Sequence, residues 1–185
     1  LGNTGANMPG TWSVAANLNQ CVSFYTAMQK AVGTKAKIIY AKGSNICYDT
    51  HKEANGSLFG RDIRDNRSPE ELLQEALSVA RKADVIVATS GETTEMSGEC
   101  SSRSDLTIFD AQKDLLTALK KTGKPVILVN FSGRPTVMTW EKQNFDAILN
   151  VWFGGTETAP AICDVLFGDK TPSGHLTFTM PKNMG

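Results

Sequence analysis

The alternation of short apolar runs with amphipathic stretches is the feature that most constrains the fold of this 185-residue chain. The apolar runs are rich in β-branched residues, which is typical of strands buried on both faces of a parallel sheet. They lie at Ala36–Ala41, Asp84–Thr89, Pro125–Phe131 and Ala147–Trp152. Strands and helices that alternate through short links predict a parallel sheet with helices on both faces. We therefore expect one α/β domain over residues 1–185, a three-layer α/β/α sandwich with a mostly parallel, flavodoxin-like sheet.

The helices between these runs have recognisable ends. The segment Ser68–Pro69–Glu70–Glu71 has a serine N-cap, a proline at the first helical position and a glutamate three residues after the cap. A second amphipathic helix is predicted over Asp110–Thr122, with Gly123 as its C-cap. The last is predicted over Thr156–Phe167 and ends at Gly168.

Charge and hydropathy exclude several classes of partner. The 19 basic and 19 acidic residues cancel, and the pI is near 6.9, so nothing favours nucleic acid or an anionic membrane. The longest apolar runs, such as Val126–Val129, fall far short of the roughly 20 residues that span a bilayer. We expect no nucleic-acid partner and no membrane-spanning segment.

The cysteines do not form a metal-binding pattern. None of Cys21, Cys47, Cys100 and Cys163 belongs to a Cys-x-x-Cys pair. We expect buried free thiols, no metal and no cofactor. One disulfide remains open if the protein is exported, and the sequence does not choose its pairing.

Functional loops of such sheets follow the carboxyl ends of the strands. Three segments qualify here, Ser90–Thr107, Ser132–Pro135 and Gly154–Glu157. The first is long for a strand-to-helix link, and long loops in compact domains are often functional.

The loop Ser90–Thr107 is acidic. Its charged side chains are Glu92, Glu95, Glu99, Arg103 and Asp105. Glu99 is flanked by small residues, so its carboxyl group could be presented to a neighbouring surface as a general acid/base. A solvated acidic loop is the alternative that composition alone favours. A calcium site is less favoured because the spacing fits no known calcium loop.

The segment Gly154–Gly155–Thr156–Glu157 follows a predicted strand and opens a helix. Glycines at such a turn favour phosphate binding, but the dinucleotide fingerprint needs a third glycine and a P-loop needs a lysine. We therefore favour tight strand-to-helix packing. Asn130, Ser132 and Arg134 line the neighbouring strand end, and the chain lacks the Gly-x-Ser-x-Gly elbow of many serine hydrolases.

The remaining aromatic and titratable residues have simple interpretations. His175 is interpreted as a surface histidine near an edge strand. Trp12, Trp140 and Trp152 are interpreted as core or interface residues, with Trp12 on a loop that could contact a sugar or a partner domain. The residues Leu1–Gly2–Asn3 resemble the end of a strand that begins upstream.

Several segments together resemble the second domain of glycoside hydrolase family 3. The longest is WFGGTETAPAICDVLFGDKTPSGHLTFTMP at Trp152–Pro181. KKTGKPVILVNFSGRP at Lys120–Pro135, SGECSSRSDL at Ser97–Leu106 and GTWS at Gly10–Ser13 fit the same family. The resemblance covers nearly the whole chain and is similar to the bacterial periplasmic β-glucosidase branch.

This resemblance implies a function that composition does not. The family's enzymes are retaining β-glycosidases in which a (β/α)₈ barrel carries an aspartate nucleophile and the α/β sandwich lends a glutamate acid/base. Many members add a fibronectin-type III domain. The chain matches only the sandwich, so we expect an inactive part of a periplasmic or secreted β-glucosidase-like enzyme. Its expected partners are a β-glycoside or oligosaccharide and the missing barrel.

The resemblance also implies roles for residues of the long loop. Glu99 occupies the position of the acid/base, ahead of Arg103 and Asp105, which are interpreted as loop-ordering or substrate-side residues. Glu92 is the competing candidate. A carbohydrate-binding or domain-interface module without catalysis is the alternative function. A nucleotide-binding or receiver domain is disfavoured because Asp84 begins its strand rather than ending it.

Overall fold

The computed structural model describes residues 4–55 and 64–185, and a parallel sheet lies at its centre. The strands are β1 (Ile86–Gly91), β2 (Val126–Phe131) and β3 (Ala147–Asn150). They lie in the order β1-β2-β3, with Ile86 opposite Val126 and Ile127 opposite Ala147. Every named pairing is parallel, which confirms the predicted class of sheet.

Helices connect and flank these strands. They are α1 (Phe24–Val32), α2 (Thr50–Asn55), α3 (Pro69–Lys82), α4 (Asp110–Lys120), α5 (Thr139–Asn144) and α6 (Thr158–Leu166). Short 3₁₀ helices cover Gly5–Asn7, Leu18–Gln20 and Thr94–Met96. The helix predicted to begin at Ser68 is confirmed, and so are the helices predicted at 110–122 and 156–167, whose ends differ from the prediction by one or two residues.

Helices cover both faces of the sheet. β2 sends alternate side chains to opposite sides, and its side chains are apolar and buried on both. Val129 and Phe131 join a buried cluster with residues of α1 and α6. Val126 and Leu128 join a second cluster with residues of α3 and α4. The three-layer α/β/α sandwich expected from the sequence is therefore confirmed.

The start of α3 forms as its sequence predicts. The Ser68 side chain accepts a hydrogen bond from the Glu71 N–H, and the Glu71 carboxylate accepts one from the Ser68 N–H. Pro69 takes the first helical position, where no backbone donor is needed. Gly123 and Gly168 follow α4 and α6 with φ values of 73° and 82°, a conformation that glycine adopts without steric cost.

One predicted strand is wrong. Ala36–Ala41 forms no strand in the described part of the chain. A strand needs a hydrogen-bonded neighbour, and the sheet edge that this segment faces is separated from it by a cavity. The edge strand expected near His175 is also absent from the described residues, and His175 is exposed. The prediction for Leu1–Gly2–Asn3 lies outside the described residues.

The four cysteines are free thiols, but they are not all buried as expected. Cys21, Cys47 and Cys163 are buried, whereas Cys100 is exposed on the loop after β1. Burial raises the pKa of Cys47 and of Cys163 to about 11, so both stay protonated at neutral pH. Among the described helices, none is long and apolar enough to cross a bilayer.

Candidate active site

Loops from four parts of the chain meet beyond the carboxyl ends of the strands. Two hydrogen bonds hold the segment at residues 7–13 against the loops that follow β1 and β3. The Thr94 N–H donates to Asn7 Oδ1 at 2.9 Å, and the Gly155 N–H donates to the Met8 carbonyl at 3.1 Å. The segment at residues 7–13 therefore lies at the same edge as the loops that follow β1 and β3.

Glu92 lies buried at the base of this edge. It directly follows β1, and its N–H continues the β1–β2 ladder by donating to the Phe131 carbonyl at 2.7 Å. Its side chain is 1% exposed. Oε1 lies 3.0 Å from Arg103 Nη1 and 3.1 Å from Arg134 Nε, and Oε2 accepts a hydrogen bond from Ser132 Oγ at 3.0 Å. One carboxylate thus anchors two arginines and the loop after β2.

Arg134 connects the loop after β2 to the long loop after β1. Its Nη2 group donates to the Met96 carbonyl and to the Ser101 carbonyl, the latter at 3.0 Å. The Ser101 hydroxyl closes the loop further by donating to the Glu95 carbonyl at 2.6 Å. These bonds fix the backbone on both sides of the turn that carries Glu99.

Arg103 and Asp105 order the end of the same loop. The Arg103 guanidinium donates to the Thr107 carbonyl and stacks over the Phe109 ring at 3.8 Å. Asp105 Oδ1 accepts hydrogen bonds from the Thr107 N–H at 2.8 Å and the Thr107 hydroxyl at 2.7 Å. These bonds hold the pKa of the Asp105 carboxyl below its usual range.

Glu99 stands at the tip of the loop. It lies in a turn closed by the Ser101 N–H, which donates to the Gly98 carbonyl at 3.2 Å, and the next residue, Cys100, has a φ of 62°. The side chain is exposed, and its carboxylate has no hydrogen bond or ion pair with any residue of 4–55 or 64–185. The turn therefore presents a free carboxylate outward.

Two close glycine contacts position this turn. A Cβ placed on Gly98 would lie 2.6 Å from Thr11 Cγ2, and one on Gly133 would lie 2.1 Å from Ser97 Oγ. The long loop therefore packs directly against the Thr11 segment and against the backbone after β2. The sequence carries no signal that pairs Gly133 with Ser97, whereas Ser132 and Arg134 could be placed from their position after a strand.

The glycines after β3 pack the start of α6 tightly. A Cβ on Gly154 would lie 2.7 Å from Thr158 Oγ1, and Thr158 donates through its N–H and its hydroxyl to the Gly155 carbonyl. Gly155 has a φ of 90° and, as described above, donates to Met8. This geometry agrees with strand-to-helix packing.

The tryptophans differ in exposure. Trp12 is 69% exposed on the loop beside Thr11, with a φ of 60°. Trp140 is packed against Phe145 with a ring separation of 5.5 Å. Trp152 follows β3 with a φ of 52° and meets the Phe178 ring at 5.3 Å. Trp12 is thus the tryptophan that this edge presents most fully to solvent.

Metal-ligating side chains do not cluster in the described ranges. No group of three or more histidine, cysteine, aspartate or glutamate residues within 4–55 and 64–185 could hold an ion. The acids of the long loop are separated, with Glu92 occupied by arginines and Asp105 by Thr107.

Comparisons with known proteins agree with one another. The family model of the glycosyl hydrolase family 3 C-terminal domain matches residues 2–185. A periplasmic beta-glucosidase of Salmonella typhimurium is 46% identical over 186 residues, which cover 100% of this chain and 24% of that protein. A beta-xylosidase of Formosa agariphila is 36% identical over 164 residues, which cover 89% of this chain and 20% of that protein.

Solved structures share the fold. The beta-glucosidase from Listeria innocua in complex with isofagomine aligns with a TM-score of 0.77 and 24% identity. The alignment covers 99% of this chain and 22% of that one. The chain thus spans about a quarter of the length of the proteins it matches.

Proposed function

The chain belongs to the glycosyl hydrolase family 3 C-terminal domain family, and we propose that it is the second domain of a retaining, β-glucosidase-like enzyme. In this proposal Glu99 supplies the acid/base, and an aspartate nucleophile comes from an N-terminal (β/α)₈ barrel outside these 185 residues. The observation that carries the assignment is the turn at residues 98–101, which presents the Glu99 carboxylate outward.

Two-carboxylate chemistry defines what Glu99 does. In retaining glycosidases the two carboxyl groups lie roughly 5–5.5 Å apart, on either side of the scissile bond. The barrel aspartate attacks the anomeric carbon while Glu99 protonates the departing oxygen. Glu99 then removes a proton from the water that releases the sugar. An exposed turn at a domain edge suits this role because the carboxylate has to reach a sugar held mainly by another domain.

Glu92, the competing candidate, is poorly placed for proton transfer. Both of its oxygens already have partners, namely Arg103, Arg134 and Ser132. Its 1% exposure leaves no path to a glycosidic oxygen. A general acid/base needs hydrogen-bond reach to the group it protonates, so we assign Glu92 to the support of the loop.

Arg134, Arg103 and Asp105 are proposed as positioning residues. Arg134 fixes both sides of the Glu99 turn through the Met96 and Ser101 carbonyls. Arg103 and Asp105 fix the end of the loop at Thr107. A rigid support of this kind lets one carboxylate meet a reacting atom without reorganisation.

The substrate and location follow from the relatives. We propose a β-glycoside or oligosaccharide substrate and a periplasmic or secreted location, since the 46% identical relative is named a periplasmic beta-glucosidase. The exposed Trp12 favours the second candidate, a carbohydrate-binding or domain-interface module. In that case the loop that carries Trp12 would bind a sugar, and the protein would not cleave it.

The test is the hydrolysis of β-glucosides by the full-length protein, wild type against Glu99→Gln. We expect a loss of kcat of about 10²–10⁴ on cellobiose, whose leaving group needs a proton. The loss of kcat/KM should be much smaller on 4-nitrophenyl β-glucoside, whose leaving group does not. Azide should restore turnover of the nitrophenyl substrate and yield a β-glycosyl azide.

Two controls separate the possible outcomes. Glu95→Gln changes an acid on the same loop whose carboxylate meets Thr11 and Thr94, and it should keep its turnover. The 185-residue chain alone should hydrolyse neither substrate. Near-normal activity of Glu99→Gln would remove Glu99 from the chemistry, and an active isolated chain would contradict the shared site. Binding of cellobiose by the full-length protein without hydrolysis would favour the second candidate.

A further inference from the structure

Four loops at the candidate active site contact one another in a closed ring. A Cβ on Gly98 would meet Thr11, and a Cβ on Gly133 would meet Ser97. These two contacts join the loop after β1 to the segment that carries Thr11 and to the loop after β2. The two contacts that complete the ring are both made by Phe153, which follows β3.

Phe153 lies between two glycines that belong to different loops. A Cβ on Gly10 would lie 3.0 Å from Phe153 Cβ and 3.6 Å from its Cγ. A Cβ on Gly133 would lie 3.3 Å from Phe153 Cε2. Gly10 therefore packs against the base of the side chain and Gly133 against the edge of the ring. One phenylalanine thus spans the space between the segment at residues 7–13 and the loop after β2.

The hydrophobic core fixes the position of Phe153. The side chain is partly buried and packs against the cluster that includes Met8 and Phe131. Phe131 is the last residue of β2, and the Met8 carbonyl accepts a hydrogen bond from the Gly155 N–H at 3.1 Å. Phe153 therefore connects the rigid end of the sheet to the loops that carry Gly10 and Gly133.

The backbone of these loops has an unusual conformation at three places. Trp152, directly before Phe153, has a φ of 52°, which bulky residues rarely adopt. Among the described residues, the other non-glycine residues with positive φ are Trp12 and Cys100. Both lie in the same ring of loops, and Cys100 directly follows Glu99. Backbone strain of this kind persists only where the surrounding contacts enforce it, and it clusters at functional sites.

The ring of contacts sets the separation of two exposed side chains. Trp12 directly follows Thr11, and Glu99 directly follows Gly98. Trp12 and Glu99 are both exposed at this edge. A departing oxygen receives its proton only within hydrogen-bond reach of the acid. A shift of the Glu99 turn relative to the turn that carries Trp12 therefore misplaces the acid/base.

We propose that Phe153 is a positioning residue for the acid/base, which holds the Glu99 turn at a fixed separation from the Trp12 turn. This inference rests on the proposed function, in which Glu99 protonates the leaving group. Phe153 acts through Gly10 and Gly133 and is not itself a catalytic residue. A ring packed at the density of a protein interior transmits a displacement and does not absorb it, so the loops on its two sides keep one relative position.

The test uses Phe153→Leu in the full-length protein. Leucine lacks the ring edge that meets Gly133 and keeps an apolar side chain against the core. The matched control is Phe145→Leu, the same change at a buried phenylalanine that precedes β3 and packs against Trp140 in the other core cluster. Phe153→Tyr keeps the ring edge and serves as the conservative variant.

The kinetic readout is the ratio of kcat/KM on cellobiose to kcat/KM on 4-nitrophenyl β-glucoside. The leaving group of cellobiose needs a proton and nitrophenolate does not, so a misplaced Glu99 lowers this ratio. A loss of folded protein lowers both values equally and leaves the ratio unchanged. We expect Phe153→Leu to lower the ratio by about tenfold, and Phe145→Leu and Phe153→Tyr to leave it within about twofold of wild type.

Amide hydrogen exchange, measured by mass spectrometry, gives a readout that does not depend on the role of Glu99. Peptides that cover residues 10–14 and 94–101 should exchange faster by about fivefold or more in Phe153→Leu. The peptide that covers β2 should not change. Phe145→Leu should leave the exchange at residues 94–101 as in wild type.

Two results would overturn the proposal. Unchanged exchange at residues 94–101 in Phe153→Leu would mean that Phe153 does not hold the turn, whatever the role of Glu99. An unchanged kinetic ratio in Phe153→Leu, beside a lowered ratio in Glu99→Gln, would mean that the turn keeps its productive position without the ring. If Glu99→Gln also left the ratio unchanged, the proposed function would fail, and faster exchange in Phe153→Leu would still support the placement of the turn by Phe153.

Discussion

Glu92 and Glu99 belong to the same loop but lie in opposite environments. Glu92 is buried against Arg103, Arg134 and Ser132, whereas Glu99 is exposed at the tip of a turn. Sequence spacing does not explain why one carboxylate is buried and the other is exposed. Glu92 still belongs to the sheet ladder through its N–H, so its side chain is fixed where the loop begins. Glu99 lies farther along the loop, beyond the last residue that pairs with the sheet.

The comparison indicates that the two carboxylates have different roles. A buried carboxylate is tolerated only when charges and hydrogen bonds replace its water. Glu92 has two guanidinium groups and a hydroxyl as replacements, and these partners in turn fix the loop. Glu99 has none within the described residues and stays available to a ligand. The scaffold therefore uses one acid to hold the other in place.

The largest effect should come from removing the buried charge. Glu92→Gln leaves two partly buried guanidinium groups without their counter-charge, and we expect it to lower the free energy of unfolding by about 3 kcal/mol. Glu99→Gln should change it by less than about 0.5 kcal/mol, as is usual for exposed positions. Urea denaturation of both variants checks the difference. Equal stabilities would mean that the Glu92 cluster does not support the fold.

A smaller effect should follow from the contact between the two loops. Gly133→Ala places a Cβ 2.5 Å from Ser97 Cβ, which no rotation of the serine can relieve. Overpacking of this kind costs about 1–3 kcal/mol. The backbone that carries Glu99 must also shift.

The matched control for this variant is Gly174→Ala, since no atom lies within 4 Å of a Cβ there and its φ is not positive. In the full-length protein, Gly133→Ala should lower kcat on β-glucosides beyond the effect of Gly174→Ala. If the two variants have the same turnover and stability, Ser97 does not position the Glu99 turn.

The sequence predicts those parts of this molecule that local rules determine. The N-terminus of α3 follows from its capping box, and the buried strands follow from continuous apolar runs. The position of the candidate site follows from the rule that loops at the carboxyl ends of parallel strands carry function. Each of these rules depends on residues that are neighbours in the chain.

The rest depends on contacts between distant residues. The ion pairs of Glu92 join the ends of β1 and β2, and nothing in the sequence assigns Arg103 and Arg134 to one carboxylate. Ala36–Ala41 has the correct composition for a strand but lacks a paired neighbour. Strand formation is a property of the sheet, so composition alone could not decide it.

The smallest effect should come from Asp105, the exposed acid at the end of the loop. Hydrogen bonds from Thr107 lower its pKa in the folded state, so its stabilising effect is present above the unfolded value of about 3.9 and is lost as the pH falls through the folded value. Asp105→Asn should therefore lower stability near pH 7 by less than about 1 kcal/mol because solvent screens the charge. Urea denaturation of both proteins should show curves that converge as the pH approaches about 2. A difference that persists undiminished in acid would mean that Asp105 acts through packing and not through its charge, and the loop would then have Glu92 as its main electrostatic anchor.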